Sequence, residues 1–128
     1  MNKTIIKTNK APEPVGPYNQ GIIARGALIF TAGQIPIDPD TNKIIEGTFE
    51  EQVERVLQNI KAVLEEAGSS MDNLVKVTVF LKDISNFGKV NDVFRKYFGD
   101  DAPARSAIQV SKLPLDVEIE IEGIAVLP

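Results

Sequence analysis

The chain has 128 residues and a mass of 14.0 kDa, with 43% hydrophobic and 25% charged residues. That is enough for one domain with one core, read here as residues 1–128, and too little for two. A formal net charge of -4 with Lys and Arg scattered disfavours nucleic acid as a partner, and the absence of Cys and His excludes disulfides, thiolate nucleophiles, Cys/His zinc sites and imidazole catalysis.

At the N-terminus, Met1 to Lys7 has neither a long apolar core nor a small-residue cleavage site. No segment approaches the roughly 18 apolar residues of a membrane span, so a cytoplasmic protein is expected. Residues 18–24 and 27–32 read as two strands of a hairpin turned at Arg25-Gly26, after which the pattern breaks at Gly33 and Pro36. Thr48 and Glu51 have capping-box spacing, and Phe49, Val53, Val56, Leu57, Ile60, Leu64 and Ala67 follow helical period up to Gly68. Leu74 to Leu81 is Val-rich and reads as an inner strand. A second helix is expected between Ser85 as N-cap and Gly99 as its stop, with Phe87, Val90, Phe94, Tyr97 and Phe98 near one face.

The last quarter carries a lone Arg105 on a hydrophobic segment, then Leu113-Pro114-Leu115, then Val117-Glu118-Ile119-Glu120-Ile121-Glu122. Strand geometry puts Glu118, Glu120 and Glu122 on one face. A fixed cation and a fixed carboxylate could thus face one cavity and serve a small anionic substrate that needs proton transfer. The same alternation also describes an ordinary solvated strand face. The element order implies an α+β fold, a mixed sheet with both helices on one face. The other face, with residues such as Ile29, Val110 and Ile121, is expected to be buried against other subunits.

Five separated blocks carry a resemblance. They are Gly16-Pro17-Tyr18, Thr31-Ala32-Gly33-Gln34-Ile35-Pro36, Val77-Thr78-Val79-Phe80-Leu81-Lys82-Asp83, Pro103-Ala104-Arg105 and Ile119-Glu120-Ile121-Glu122. In this order and spacing the chain resembles the YjgF/RidA family of reactive intermediate deaminases, from about Pro12 to Val126. The resemblance implies a chorismate-mutase-like α+β fold and a homotrimer whose sheets form an inner barrel, with sites between subunits. It also implies cofactor-free hydrolysis of enamines and imines such as 2-aminoacrylate and 2-iminobutyrate, released by pyridoxal-phosphate enzymes, to 2-oxo acids and ammonia.

Carried over by position, the resemblance makes Arg105 the anchor of the substrate carboxylate and Glu120 the residue that activates water. Tyr18, Gly33, Phe87 and Asn91 line the pocket, and Ala107 contributes backbone groups. Two positions depart from the family pattern. Ala32 stands where many members have serine, and Ala107 where many have cysteine. The alternatives are a noncatalytic binder of small carboxylic metabolites and, third, endoribonuclease, translation-inhibiting or chaperone-like behaviour.

Overall fold

The computed structural model describes residues 2–128. In chain order the elements are β1 (Lys3–Ile6), β2 (Gly21–Ala24), β3 (Leu28–Phe30), β4 (Ile37–Asp38), β5 (Lys43–Ile44), α1 (Phe49–Glu66), β6 (Leu74–Leu81), α2 (Phe87–Tyr97), β7 (Ala104–Gln109) and β8 (Ile119–Val126). α1 starts where its capping box predicts. Thr48 Oγ1 accepts from the Glu51 N–H at 3.2 Å and Glu51 Oε1 accepts from the Thr48 N–H at 3.0 Å, satisfying two amides that the helix leaves free. It ends before Gly68, whose φ of 87° is open to glycine at little steric cost.

The main sheet has the order β3-β8-β6-β7, with β6 and β7 parallel and the other pairs antiparallel. β6 therefore reaches β7 by a crossover through α2, as a parallel pair requires. Val77 and Val79 of β6 and Ile119 and Ile121 of β8 face the helices. They pack with Val53, Val56, Leu57, Ile60 and Leu64 of α1 and Val90, Val93 and Phe94 of α2 in one buried cluster. Two helices on one face of a mixed α+β sheet is the architecture that the sequence pattern predicts.

Three local expectations are corrected. Segments 18–24 and 27–32 do not form a hairpin: β2 pairs with β1, Lys3 opposite Ala24, while β3 pairs with β8, Leu28 opposite Val126. Gly26, at φ 105°, turns the chain from one sheet to the next. Nor is Ser85 the N-cap of α2. It lies in a 3-10 turn over Ile84–Asn86, where Asp83 Oδ1 accepts from its N–H at 2.9 Å and its hydroxyl at 2.7 Å; the helix proper follows Asn86 and stops at Tyr97 rather than Gly99. A competing Asx turn has pushed the helix start one residue downstream.

The third correction concerns the sheet face away from the helices. Ile121 is fully buried on the helix side and Ile29 packs against the same core, because alternation sends odd-numbered residues of β8 inward. The open face instead carries Leu28 and Phe30 of β3, Phe80 of β6, Ile108 of β7 and Ile124 of β8, beside Glu120 and Glu122. Phe30 is 68% exposed. No helix among the described residues is long and apolar enough to cross a membrane.

Candidate active site in two halves

The first half-site is built around Arg105, which β7 carries level with Val77 and therefore on the helix side of the sheet. Its guanidinium carbon lies 4.9 Å from the Tyr18 ring centre, 5.0 Å from that of Phe87 and 5.2 Å from that of Phe94. Three π faces stabilise the cation but offer no acceptor in the plane of its N–H groups. Only 9% of Arg105 is exposed, and Nη1 and Nη2 have no hydrogen-bond partner among the described residues. Burial is the main cause that pushes its pKa down to about 10, Tyr18 acting in the opposite sense and Arg95 adding to the decrease. At neutral pH the group remains a cation.

Phe87, Asn91 and Phe94 come from one face of α2, at i, i+4 and i+7. Asn91 is also buried, and its Oδ1 has no partner among the described residues. Above both groups runs the strap Pro14 to Tyr18. A Cβ placed on Gly16 would meet Asn91 Oδ1 at 2.9 Å and Arg105 Nη2 at 3.1 Å, so the strap lies this close only because Gly16 has no side chain. Tyr18 folds back on the strap, its Oη accepting from the Val15 N–H at 3.3 Å.

Ala107 is half-buried on the same side of β7, which is the edge strand of the sheet. The Val110 N–H donates to the Leu81 carbonyl at 3.0 Å, and at the other end of β7 the Pro103 carbonyl accepts from the Asn19 N–H at 3.2 Å. With the two-residue period of a strand, the N–H and C=O of Ala107 point to the free edge. Backbone groups, rather than a side chain, are what this position can present.

The second half-site is Glu120 with Gly33. Beyond β3 the chain continues along β8, Gln34 and Ile121 exchanging both backbone bonds at 2.8 and 3.1 Å. This sets Gly33 against Glu120 so closely that a Cβ would collide with the carboxylate, its Cδ at 2.8 Å. Thr31 cannot replace a missing serine hydroxyl at position 32, as alternation predicts. Its Oγ1 is committed to the Gly123 N–H at 2.9 Å.

Arg105 and Glu120 do not share a cavity within one chain, contrary to the simplest sequence expectation. Glu120 stands level with Phe80 on the open face, whereas Arg105 is on the helix face. The structure brings Tyr18, Phe87 and Asn91 to Arg105, and Gly33 to Glu120. Gly16 and Phe94 are members of the first half that sequence reasoning did not single out. Phe94, three residues after Asn91, carried a signal in its spacing; Gly16 carried one in the Gly-Pro-Tyr block.

Known proteins resemble this one along its whole length. The family model described as endoribonuclease L-PSP matches residues 8–127. A RutC family protein of Pyrococcus abyssi is 57% identical over 125 residues, covering 98% of each chain. One from Synechocystis is 54% identical and covers 100% of this chain and 99% of its own. Among solved structures, RidA from an Antarctic Psychrobacter is 41% identical with a TM-score of 0.75, covering 96% of this chain and 98% of that one. E. coli TdcF, solved with bound serine, is 42% identical with a TM-score of 0.73 at the same coverage. The chain therefore belongs to the endoribonuclease L-PSP family, the YjgF/RidA family whose sequence blocks it carries.

Proposed function

We propose that this protein is a cofactor-free hydrolytic deaminase of small 2-imino and enamino acids, such as 2-iminobutyrate and 2-aminoacrylate, yielding 2-oxo acids and ammonia. The observation that carries the reading is the buried guanidinium of Arg105 without a partner. Leaving such donors orphaned is costly, so a fold that retains them has reserved them for an anion. A carboxylate answers the fork of donors in its own plane, and the outward N–H of Ala107 supplements it. For a ligand to reach Nη1 and Nη2, the Gly16 strap must lift from them.

Because Glu120 is on the opposite sheet face, the complete site forms where the Arg105 half of one copy meets the Glu120 half of another. We take the assembly to be a chorismate-mutase-like homotrimer, its open apolar faces turned inward. There the carboxylate of Glu120 removes a proton as water adds to the C=N carbon. The nitrogen is then protonated, the C–N bond breaks, ammonia leaves and the oxygen becomes the new carbonyl. The serine in the TdcF structure is consistent with a ligand of this size and charge. We place the reaction in the cytoplasm, beside the pyridoxal-phosphate enzymes that release such imines.

The test is 2-oxobutyrate formation from freshly generated 2-iminobutyrate with semicarbazide competing for the imine. The protein accelerates it and Arg105→Ala does not. A wild-type rate equal to buffer overturns the reading. One observation favours a second function, noncatalytic binding of small carboxylic metabolites: the anion half-site is assembled within one chain without Glu120. Glu120→Gln separates the two, since lost turnover with retained binding belongs to an enzyme.

A further inference from the structure

We infer that Thr31 is a positioning residue for Glu120, because its hydroxyl pins a β-bulge that brings Gly33, rather than a residue with a side chain, onto the carboxylate. The inference deepens the function proposed above and rests on its assignment of proton transfer to Glu120. β3 and β8 start in one register, with Phe30 opposite Ile124, and Thr31 keeps it by donating its N–H to the Gly123 carbonyl at 2.9 Å. Three residues later the pairing is Gln34 with Ile121. Two residues, Ala32 and Gly33, thus stand opposite Glu122 alone, which defines a bulge.

The bulge decides what Glu120 meets. In the unbroken register Gln34 would stand opposite Glu120 on the open face, its amide against the carboxylate, and Gly33 would face the helices beside Ile121. The extra residue reverses both. Gln34 goes to the helix side with Ile121, and Gly33 comes to the open side, where a Cβ would meet Glu120 Cδ at 2.8 Å. Thr31 holds this arrangement. A regular pair at this place exchanges two backbone bonds, but the Gly123 N–H donates to Thr31 Oγ1 at 2.9 Å instead of to the Thr31 carbonyl. The hydroxyl leaves that carbonyl, and the peptide joining Thr31 to Ala32, free to rotate into the bulge. Gly123 is buried, so its N–H needs an acceptor. Without the hydroxyl, the ladder supplies only the carbonyl of residue 31, and recruiting it draws the bulge out of place.

Steady-state 2-oxobutyrate formation from 2-iminobutyrate, with semicarbazide competing, is compared in wild type, Thr31→Ser, Thr31→Ala and Thr31→Val, and amide exchange at Gly123 is followed by NMR in the same proteins. The serine keeps the acceptor; alanine and valine remove it. Thr31→Ser turns over like wild type, whereas kcat in Thr31→Ala and Thr31→Val falls about 10- to 100-fold, the cost of displacing a reacting group by about 1 Å. KM and butyrate affinity stay at the wild-type values in all three, because the Arg105 half is untouched. Gly123 exchange quickens, by up to about tenfold, in Thr31→Ala and Thr31→Val only. Equal kcat in Thr31→Ser and Thr31→Ala overturns the inference even if Tm falls, and so does a loss shared between kcat and butyrate binding. If Thr31→Val does not fold, the serine and alanine variants, which differ by the hydroxyl oxygen alone, decide. A wild-type rate equal to buffer removes the deaminase. Gly123 exchange then tests the clamp by itself: slow exchange in Thr31→Ser with fast exchange in Thr31→Ala keeps it, and the same rate in both removes it.

Discussion

Arg105 and Glu120 occupy opposite faces of one sheet, level with Val77 and Phe80 of the same central strand. An odd offset along a strand reverses the side-chain direction, and no rotamer change carries either group through a hydrogen-bonded sheet. Any reaction that needs both requires two copies of the chain.

Mixing two inactive variants tests this. When Arg105→Ala and Glu120→Gln are unfolded together in equal amounts and refolded, random mixing in the proposed trimer places an intact Arg105 beside an intact neighbouring Glu120 in about a quarter of the sites. About that fraction of wild-type 2-oxobutyrate formation returns. No recovery would mean that each site is drawn from a single chain.

Arg105→Met removes an unpartnered buried cation and leaves an apolar chain of similar length among three aromatic rings. Thermal unfolding near pH 7 therefore shifts upward while carboxylate binding falls, by about 10- to 150-fold for a lost charge-assisted pair. Burial holds the pKa of Arg105 in the fold at about 10, below the usual arginine range. Its destabilising contribution is complete below pH 10 and relieved as pH rises through it, so the Tm advantage of Arg105→Met shrinks there. Carboxylate affinity of the wild type declines over the same interval.

Gly16→Ala and Gly33→Ala act on different halves. The first pushes a methyl group toward Asn91 and Arg105, the second into the Glu120 carboxylate. Gly16→Ala weakens butyrate binding about tenfold or more, since misplaced hydrogen-bond donors forfeit about that much. Gly33→Ala leaves butyrate binding near the wild-type value and lowers turnover. Titration calorimetry beside the semicarbazide assay distinguishes them.

The capping box makes α1 sensitive to acid. Glu51 is held below the ordinary glutamate value of 4.5, first by the Thr48 N–H and then by the Thr48 hydroxyl. Its stabilising contribution is therefore present above that value and lost as pH falls through the depressed one. Glu51→Gln flattens this part of the stability profile in urea titrations between pH 6 and 2. Thr48→Ala lowers stability by about 1 kcal/mol at pH 7.

Much of the architecture was legible because it follows from local rules. Thr48 and Glu51 announced α1, and the Val-rich Leu74–Leu81 announced the central strand. Arg105 and Glu120 stood out as residue types, and their companions came with the family resemblance. What stayed hidden was relational. Gly26 looked like a hairpin turn because nothing local reveals that β1 and β8, at opposite ends of the chain, outcompete β2 and β3 as each other's partners. Ser85 looked like a cap because Asp83 competes for the same backbone geometry. Alternation showed that Glu118, Glu120 and Glu122 share a face, but which face depends on the register between β6 and β8, and that register exists only in three dimensions.

The strap over Arg105 has a consequence for timing. Nη1 and Nη2 are buried, with Gly16 drawn over Nη2, so an arriving anion meets a closed door, and the encounter splits into opening and capture. Association then saturates at the opening rate as ligand is raised, a ceiling independent of how tightly the ligand is finally held.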